Sequence, residues 1–346
     1  MPNFFEHPEL MDAPPIKRAA YSDRTAWIMA ELSRLVYERL PNEQELDELL
    51  KKLMGAIEND KPKRELISMA AEFAASTNET QESRTDEILN GQSYSLFTSY
   101  SKGGTECMVV KIPPKPEVNF AGMFVIVFRG TEPTSMADLK ADLTAKLTGA
   151  EGGGRIHTGF KDAYEKVAED LKKDIKEAGD LPVYITGHSL GGALALVATR
   201  YIGSDSVGAT YTFGGPRVGD AGFFKGIKTP VYRVVNAADG VARIPFGAGW
   251  SFCLAILRLI PLNGTKKVTE WLERWFSGYM HYGDMKMLTV PTKKKPVEVL
   301  SSPTIFQTVR VVFPSMVKTW CKASFQDHGM AGYCEKLAQY AKRRIG

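Results

Sequence analysis

Val183-Tyr184-Ile185-Thr186-Gly187-His188-Ser189-Leu190-Gly191-Gly192-Ala193 is the stretch on which the fold turns. Val183–Thr186 is a short run of β-branched and aromatic residues, the pattern of a strand, and Ala193–Tyr201 is a helical run free of Gly and Pro. Between them stands Gly187-His188-Ser189-Leu190-Gly191, a G-x-S-x-G. Strand, tight turn and helix in that order is the setting that lifts a serine into a strained elbow at the edge of a sheet. Such a turn brings backbone against backbone, so its neighbours must be small, and Gly187, Gly191 and Gly192 meet that need. The helix opening beyond Ser189 aims the positive end of its dipole at charge developing on a nearby oxygen. G-x-S-x-G by itself is weakly specific, and it is the flanking strand and helix that give it meaning.

Outward from the elbow, strands and helices alternate. Cys107–Ile112, Met123–Phe128, Ala209–Phe213, Val231–Val235 and Met285–Val290 read as strands, and Met123–Phe128 is apolar on both faces, as an interior parallel strand is. Ser135–Leu147 and Phe160–Ala178 read as helices. This spacing predicts an α/β fold with a mostly parallel central sheet and helices on both faces, forming one domain over 1–346. Residues 22–78 read as an N-terminal helical segment packed on it. A helix starts at Asp23 with Ile28, Leu32, Leu35 and Val36 on one face and ends at Pro41. A second follows the capping pair Asn42 and Glu45, and a third covers about Glu65 to Ala75. These helices are expected to supply packing and no chemistry.

Composition narrows the function classes. The 346 residues are 44% hydrophobic and 24% charged with a net charge of +4, ordinary values for a globular protein. No basic run is interleaved with aromatics, so no nucleic-acid partner is expected. Cys107, Cys253, Cys321 and Cys334 form no C-x-x-C pair, which leaves no zinc or redox motif, and no metal or organic cofactor is expected. No run is long and apolar enough to predict a transmembrane segment. The N-terminus shows no basic region followed by an apolar run, so localisation stays open between the cytoplasm and export without a cleaved signal.

A serine hydroxyl needs a base to take its proton, and the base is commonly a histidine oriented by a carboxylate. After a nucleophile elbow the order is Ser, acid, His. Asp239, just beyond the strand Val231–Val235, is the chosen acid, because active-site groups gather at the carboxyl ends of parallel strands. Asp220 follows a similar strand end and is its rival. His281 and His328 are both candidate bases, and spacing does not separate them.

The motifs together resemble those of the class 3, or fungal-type, triacylglycerol lipase family of the α/β-hydrolase superfamily. Phe128-Arg129-Gly130-Thr131 resembles its F-R-G-S/T, and Asp138–Leu143 its D-x-x-x-D-L. Ile156–Phe160 resembles V-H-x-G-F, Thr186–Gly192 resembles T-G-H-S-L-G-G, Thr212–Gly219 resembles T-F-G-x-P-R-V-G, and Asn236–Pro245 resembles N-x-x-D-x-V-x-x-x-P. The resemblance implies the α/β-hydrolase fold and a Ser189–His328–Asp239 triad. The family's base lies in an Asp-His pair near the C-terminus, which Asp327-His328 matches, whereas His281-Tyr282-Gly283 matches a non-catalytic site. The resemblance also implies an oxyanion hole from Thr131 and Leu190, and leaves His157 and His188 without catalytic roles.

Three departures from the family pattern shape the expectations about substrate. The lid-equivalent segment, 132–143, offers only Met136, Leu139 and Leu143 as larger apolar residues and has no large aromatic. An apolar insert over 246–278 contains Trp250 and Phe252, either a buried helix pair or a surface for transient contact with a lipid–water interface. The disulfides of secreted fungal members have no counterpart. The expected activity is hydrolysis of carboxylic esters, foremost acylglycerols, through an acyl-enzyme. Alternatives are an esterase for short-chain esters, a phospholipase A1, and a lipase-like binding protein without turnover.

Overall fold

The computed structural model describes residues 3–11, 20–39, 51–57, 62–130, 147–203, 207–237, 239, 278–292, 295–304, 307–308, 311 and 328–345. Thr131, Met136, Leu139, Trp250 and Phe252 lie outside these residues, as do the segment 132–143 and all of the apolar insert except Gly278.

The expected sheet is present. Eight strands run in the order β1 (Ser95–Lys102), β2 (Thr105–Ile112), β3 (Met123–Phe128), β6 (Val183–His188), β7 (Val207–Phe213), β8 (Val231–Asn236), β9 (Asp284–Leu288) and β10 (Val299–Ser301). β3, β6, β7, β8 and β9 pair in parallel. Antiparallel strands close both flanks, β1 and β2 beyond β3 and β10 beyond β9. A small hairpin of β4 (Leu147–Gly149) and β5 (Arg155–His157) stands apart. This is the α/β-hydrolase fold.

Every residue of β3 and of β6 is buried, as strands covered on both faces must be. Side chains alternate between two cores. Val125, Val127 and Tyr184 join one core with Trp27, Ile28 and Leu32 of α1 (Asp23–Leu35) and Tyr333 and Leu337 of the last helix. Phe124, Ile126, Phe128, Val183 and Ile185 join the other, with Phe160, Leu171, Leu194 and Phe223 from the helices of the opposite face.

The helices depart from expectation in two informative places. α2 spans Lys63–Asn90, well past Ala75, because the polar run Ser76–Arg84 has no apolar stripe by which a sequence reader would recognise a helix. The expected single helix Phe160–Ala178 is two, α3 (Thr158–Glu165) and α4 (Ala168–Glu177), joined by a turn in which Val167 donates to the Tyr164 carbonyl at 3.0 Å. Other helices among the described residues are α5 (Leu190–Ile202), α6 (Ala221–Phe224) and α7 (Met330–Ile345). Among the described residues no helix is long and apolar enough to cross a membrane. Cys107 and Cys334 are buried and in no disulfide, and Cys253 and Cys321 lie outside the described residues.

Candidate active site

Ser189 sits between β6 and α5 with φ 55° and ψ −127°, a conformation that costs a non-glycine residue on the order of 1–3 kcal/mol. Three backbone hydrogen bonds hold it there. Its N–H donates to the Phe213 carbonyl at 2.9 Å, and its carbonyl accepts from Gly192 at 3.0 Å and Ala193 at 3.3 Å. Gly191 is obligatory at this turn, because a Cβ there would collide with the backbone of Phe128 and Arg129 at the end of β3. β3 therefore delivers Gly130 directly against the elbow, and the next residue, Thr131, lies outside the described residues. Leu190 opens α5, so its N–H belongs to the first turn, whose donors the helix itself does not use.

Asp239 and His328 meet although 89 positions separate them in the chain. Their contact, His328 Nδ1 to Asp239 Oδ2, is 2.9 Å long, and the two side chains are 5% and 0% exposed. A carboxylate accepts, so Nδ1 carries the proton and Nε2 is the bare nitrogen of the neutral ring. Neither His328 Nε2 nor Ser189 Oγ, both buried, has a hydrogen-bond partner among the described residues. Gly214, at φ +58°, lies under the pair, where a Cβ would press on Asp239 Oδ2 and on the His328 ring.

The two rivals are placed elsewhere. Asp220 caps α6, accepting from Phe223 N–H at 3.0 Å, and also takes Arg155 N–H and Nε–H, each at 2.9 Å. Burial alone would raise its carboxyl, but the Arg155 and Phe223 donors outweigh it and hold it below the ordinary carboxylate range. His281 stands just before the amino end of β9, which runs parallel to β8. Ser189 and Asp239 follow the carboxyl ends of β6 and β8, so His281 lies at the opposite edge of the sheet. His157 is buried against Phe160, with ring centroids 4.3 Å apart.

The sequence missed two contributors. Tyr333, on the first turns of α7, donates to Asp239 Oδ2 at 2.6 Å and accepts from Asn236 N–H at 3.0 Å, tying the acid to the end of β8. Tyr37, in the 3-10 turn Val36–Arg39 after α1, reaches His188 Nδ1 at 2.9 Å. The N-terminal helical segment thus brings more than apolar packing to the elbow. An aromatic hydroxyl inside an amphipathic helix looks the same in sequence whether or not it has a buried partner. Among the described residues no cluster of His, Cys, Asp and Glu could hold a metal ion.

Comparison with known proteins bears on this arrangement. Residues 125–248 match the family model of lipase (class 3). A secreted mono- and diacylglycerol lipase of Fusarium solani is 41% identical over 102 residues, 27% of this chain and 30% of that protein. The chloroplastic phospholipase A(1) DAD1 of Arabidopsis thaliana is 34% identical over 148 residues, 35% of this chain and 33% of that protein. This chain therefore spans about a third of the length of these relatives. The Rhizomucor miehei lipase propeptide complex is 22% identical at a TM-score of 0.48, covering 84% of this chain and 82% of that one.

Proposed function

We propose, from the match of residues 125–248 to the class 3 lipase family model, that this chain is a serine hydrolase of carboxylic esters, foremost acylglycerols. The observation that carries the proposal is the buried 2.9 Å contact between His328 Nδ1 and Asp239 Oδ2, together with a strained Ser189 whose Oγ, like His328 Nε2, is buried without a hydrogen-bond partner among the described residues.

The chemistry follows from the proton positions. Ser189 Oγ attacks the ester carbonyl while His328 Nε2 takes its proton. Asp239 keeps the proton of Nδ1 facing itself and stabilises the imidazolium. The charge forming on the carbonyl oxygen is met at the opening of α5 by the Leu190 N–H, with Thr131 as its partner donor by resemblance. His328 returns the proton to the leaving alcohol. Water, deprotonated by the same Nε2, then releases the acid from the acyl-enzyme. No step calls on a metal or an organic cofactor.

Ser189 is fully buried, so substrate must displace what covers it. The sequence offers 132–143, with Met136 and Leu139, as the cover, and leaves Trp250 and Phe252 either in a buried helix pair or in contact with a lipid–water interface. The phospholipase A(1) relative supports a second reading in which the head group is a phosphodiester and the scissile bond an acyl ester of the same kind.

Ser189→Ala should lower ester turnover by on the order of 10⁶ and abolish labelling by a fluorophosphonate probe, with the fold intact by circular dichroism. Turnover surviving in that variant sinks the assignment, and a wild-type chain that binds esters without turnover or labelling is the lipase-like binding protein. An ester series of rising acyl length, with monoacylglycerol and phosphatidylcholine beside it, then assigns the substrate class.

A further inference from the structure

His188 is the variable residue of G-x-S-x-G, and its ring is buried with both nitrogens engaged. Nε2 lies 2.6 Å from the backbone carbonyl of His328, and Nδ1 lies 2.9 Å from Tyr37 Oη. The His188 and His328 rings are 4.4 Å apart. We propose that Tyr37 and His188 form a positioning relay that fixes the backbone of His328, so that the N-terminal helical segment sets where the base stands. This inference rests on the hydrolase reading above and extends it to Tyr37, which lies outside the family-matched segment 125–248.

Proton bookkeeping allows one arrangement. A carbonyl oxygen only accepts, so Nε2 must carry a hydrogen. A neutral ring then has a bare Nδ1, which accepts the Tyr37 hydroxyl proton. Neutrality is favoured because burial, reinforced by the neighbouring His328, holds the His188 ring well below the ordinary histidine range. Among the described residues three groups face this ring. Tyr37 lies on one side, His328 on the other, and the Tyr333 ring packs edge-on at 6.0 Å. The Arg129 guanidinium reaches only the far partner, over the Tyr37 ring at 5.6 Å, and is itself bound to Glu106 at 2.7 Å.

The relay has a rigid mount. Alternation along β6 turns Thr186 and His188 to the face that α1 covers. Ser33 of α1 hydrogen-bonds Thr186 at 3.0 Å, two residues before His188. α1 also packs against α7, the helix that follows His328. One N-terminal element therefore braces the strand that ends in the nucleophile and the segment that presents the base. A loop-borne histidine needs such a tie, because misplacing a reacting group by about 1 Å can cost on the order of 100-fold in rate.

Two measurements on the full chain test this. In ¹⁵N-histidine NMR, His188 should be the Nε2–H tautomer across pH 6 to 8; an Nδ1–H tautomer or a protonated ring overturns the relay whatever the chain hydrolyses. In kinetics on p-nitrophenyl butyrate, His188→Leu should lower kcat by on the order of 100-fold with KM held within about twofold. Tyr37→Phe, which keeps the ring, should lower kcat by roughly fivefold, the worth of one hydrogen bond. His188→Gln, which can still donate to the His328 carbonyl, should recover most of the His188→Leu loss and keeps the test alive if the leucine variant does not fold. Wild-type kcat in Tyr37→Phe with only a lowered melting temperature, or no difference between glutamine and leucine, reduces His188 to packing. If the wild-type chain neither turns over the ester nor takes up the fluorophosphonate, the Ser189 reading has failed, while the tautomer still judges the relay.

Discussion

Asp239 and Asp220 follow the carboxyl ends of neighbouring parallel strands, yet they are employed in opposite ways. Asp220 is a partly exposed side chain whose carboxylate accepts three donors, Arg155 N–H, Arg155 Nε–H and Phe223 N–H, and so fastens α6 to β5. Asp239 is fully buried, and its Oδ2 accepts from His328 Nδ1 and Tyr333 Oη. Position at a strand's carboxyl end is thus shared by a structural cap and by the candidate catalytic acid. What separates them is the donor each one meets. A backbone N–H or a guanidinium holds a carboxylate in place, whereas an imidazole N–H passes the orientation on to a second ring nitrogen that can act as a base.

The sharpest way to break this contrast is to remove the charge from each acid in turn. Asp239→Asn should cost on the order of 10⁴ in kcat, because an amide can hold His328 in the wrong tautomer, with Nε2 protonated. Asp220→Asn should leave kcat within about twofold, as expected for a site remote from the reacting atoms. The reverse outcome would move the acid to Asp220. A smaller effect is expected at Tyr333→Phe. That change takes from the buried Asn236 N–H the hydroxyl that accepts it and from Oδ2 the Tyr333 donor, so a loss of about 1–3 kcal/mol in stability and roughly tenfold in kcat should follow. Denaturant melts and the same ester assay would check both, and unchanged kcat would show that His328 alone suffices to orient the acid.

Much of this was legible in the sequence, and for specific reasons. β3 announced itself as a continuous apolar run because both faces are buried, β6 as a short β-branched and aromatic run, and the elbow because a strained turn demands glycines at fixed offsets. The choice between His281 and His328 was not legible from spacing, since it depends on which edge of the sheet each reaches. The family resemblance pointed to His328, and the parallel pairing of β9 with β8 supplies the physical reason by placing His281 at the amino end. Tyr37 and His188 were read as packing for a related reason. Their meaning lies in a contact spanning 151 positions, and no periodicity within a helix or strand encodes such a pair. The extension of α2 to Asn90 escaped notice because a helix that is polar over several turns carries no stripe.

The least effect, and the one that tests the structural half of the contrast, concerns stability against pH at Asp220. Its carboxyl titrates below the ordinary 3.8 because the Arg155 and Phe223 donors favour the charged form over the burial that opposes it. A group lowered on folding stabilises fully above its unfolded value and loses that contribution as pH falls through its folded one. Asp220→Ala should therefore cost about 1 kcal/mol at pH 7, the usual worth of a helix N-cap. The gap between variant and wild type should stay constant down to about pH 4, then narrow at lower pH as the native carboxyl protonates and its hold on Arg155 weakens. Urea melts at pH 7, 5 and 3 measure it. A gap that persists unchanged at pH 3 would mean that Asp220 holds α6 to β5 by shape and neutral hydrogen bonds alone, so that its charge, unlike that of Asp239, has no part in its work.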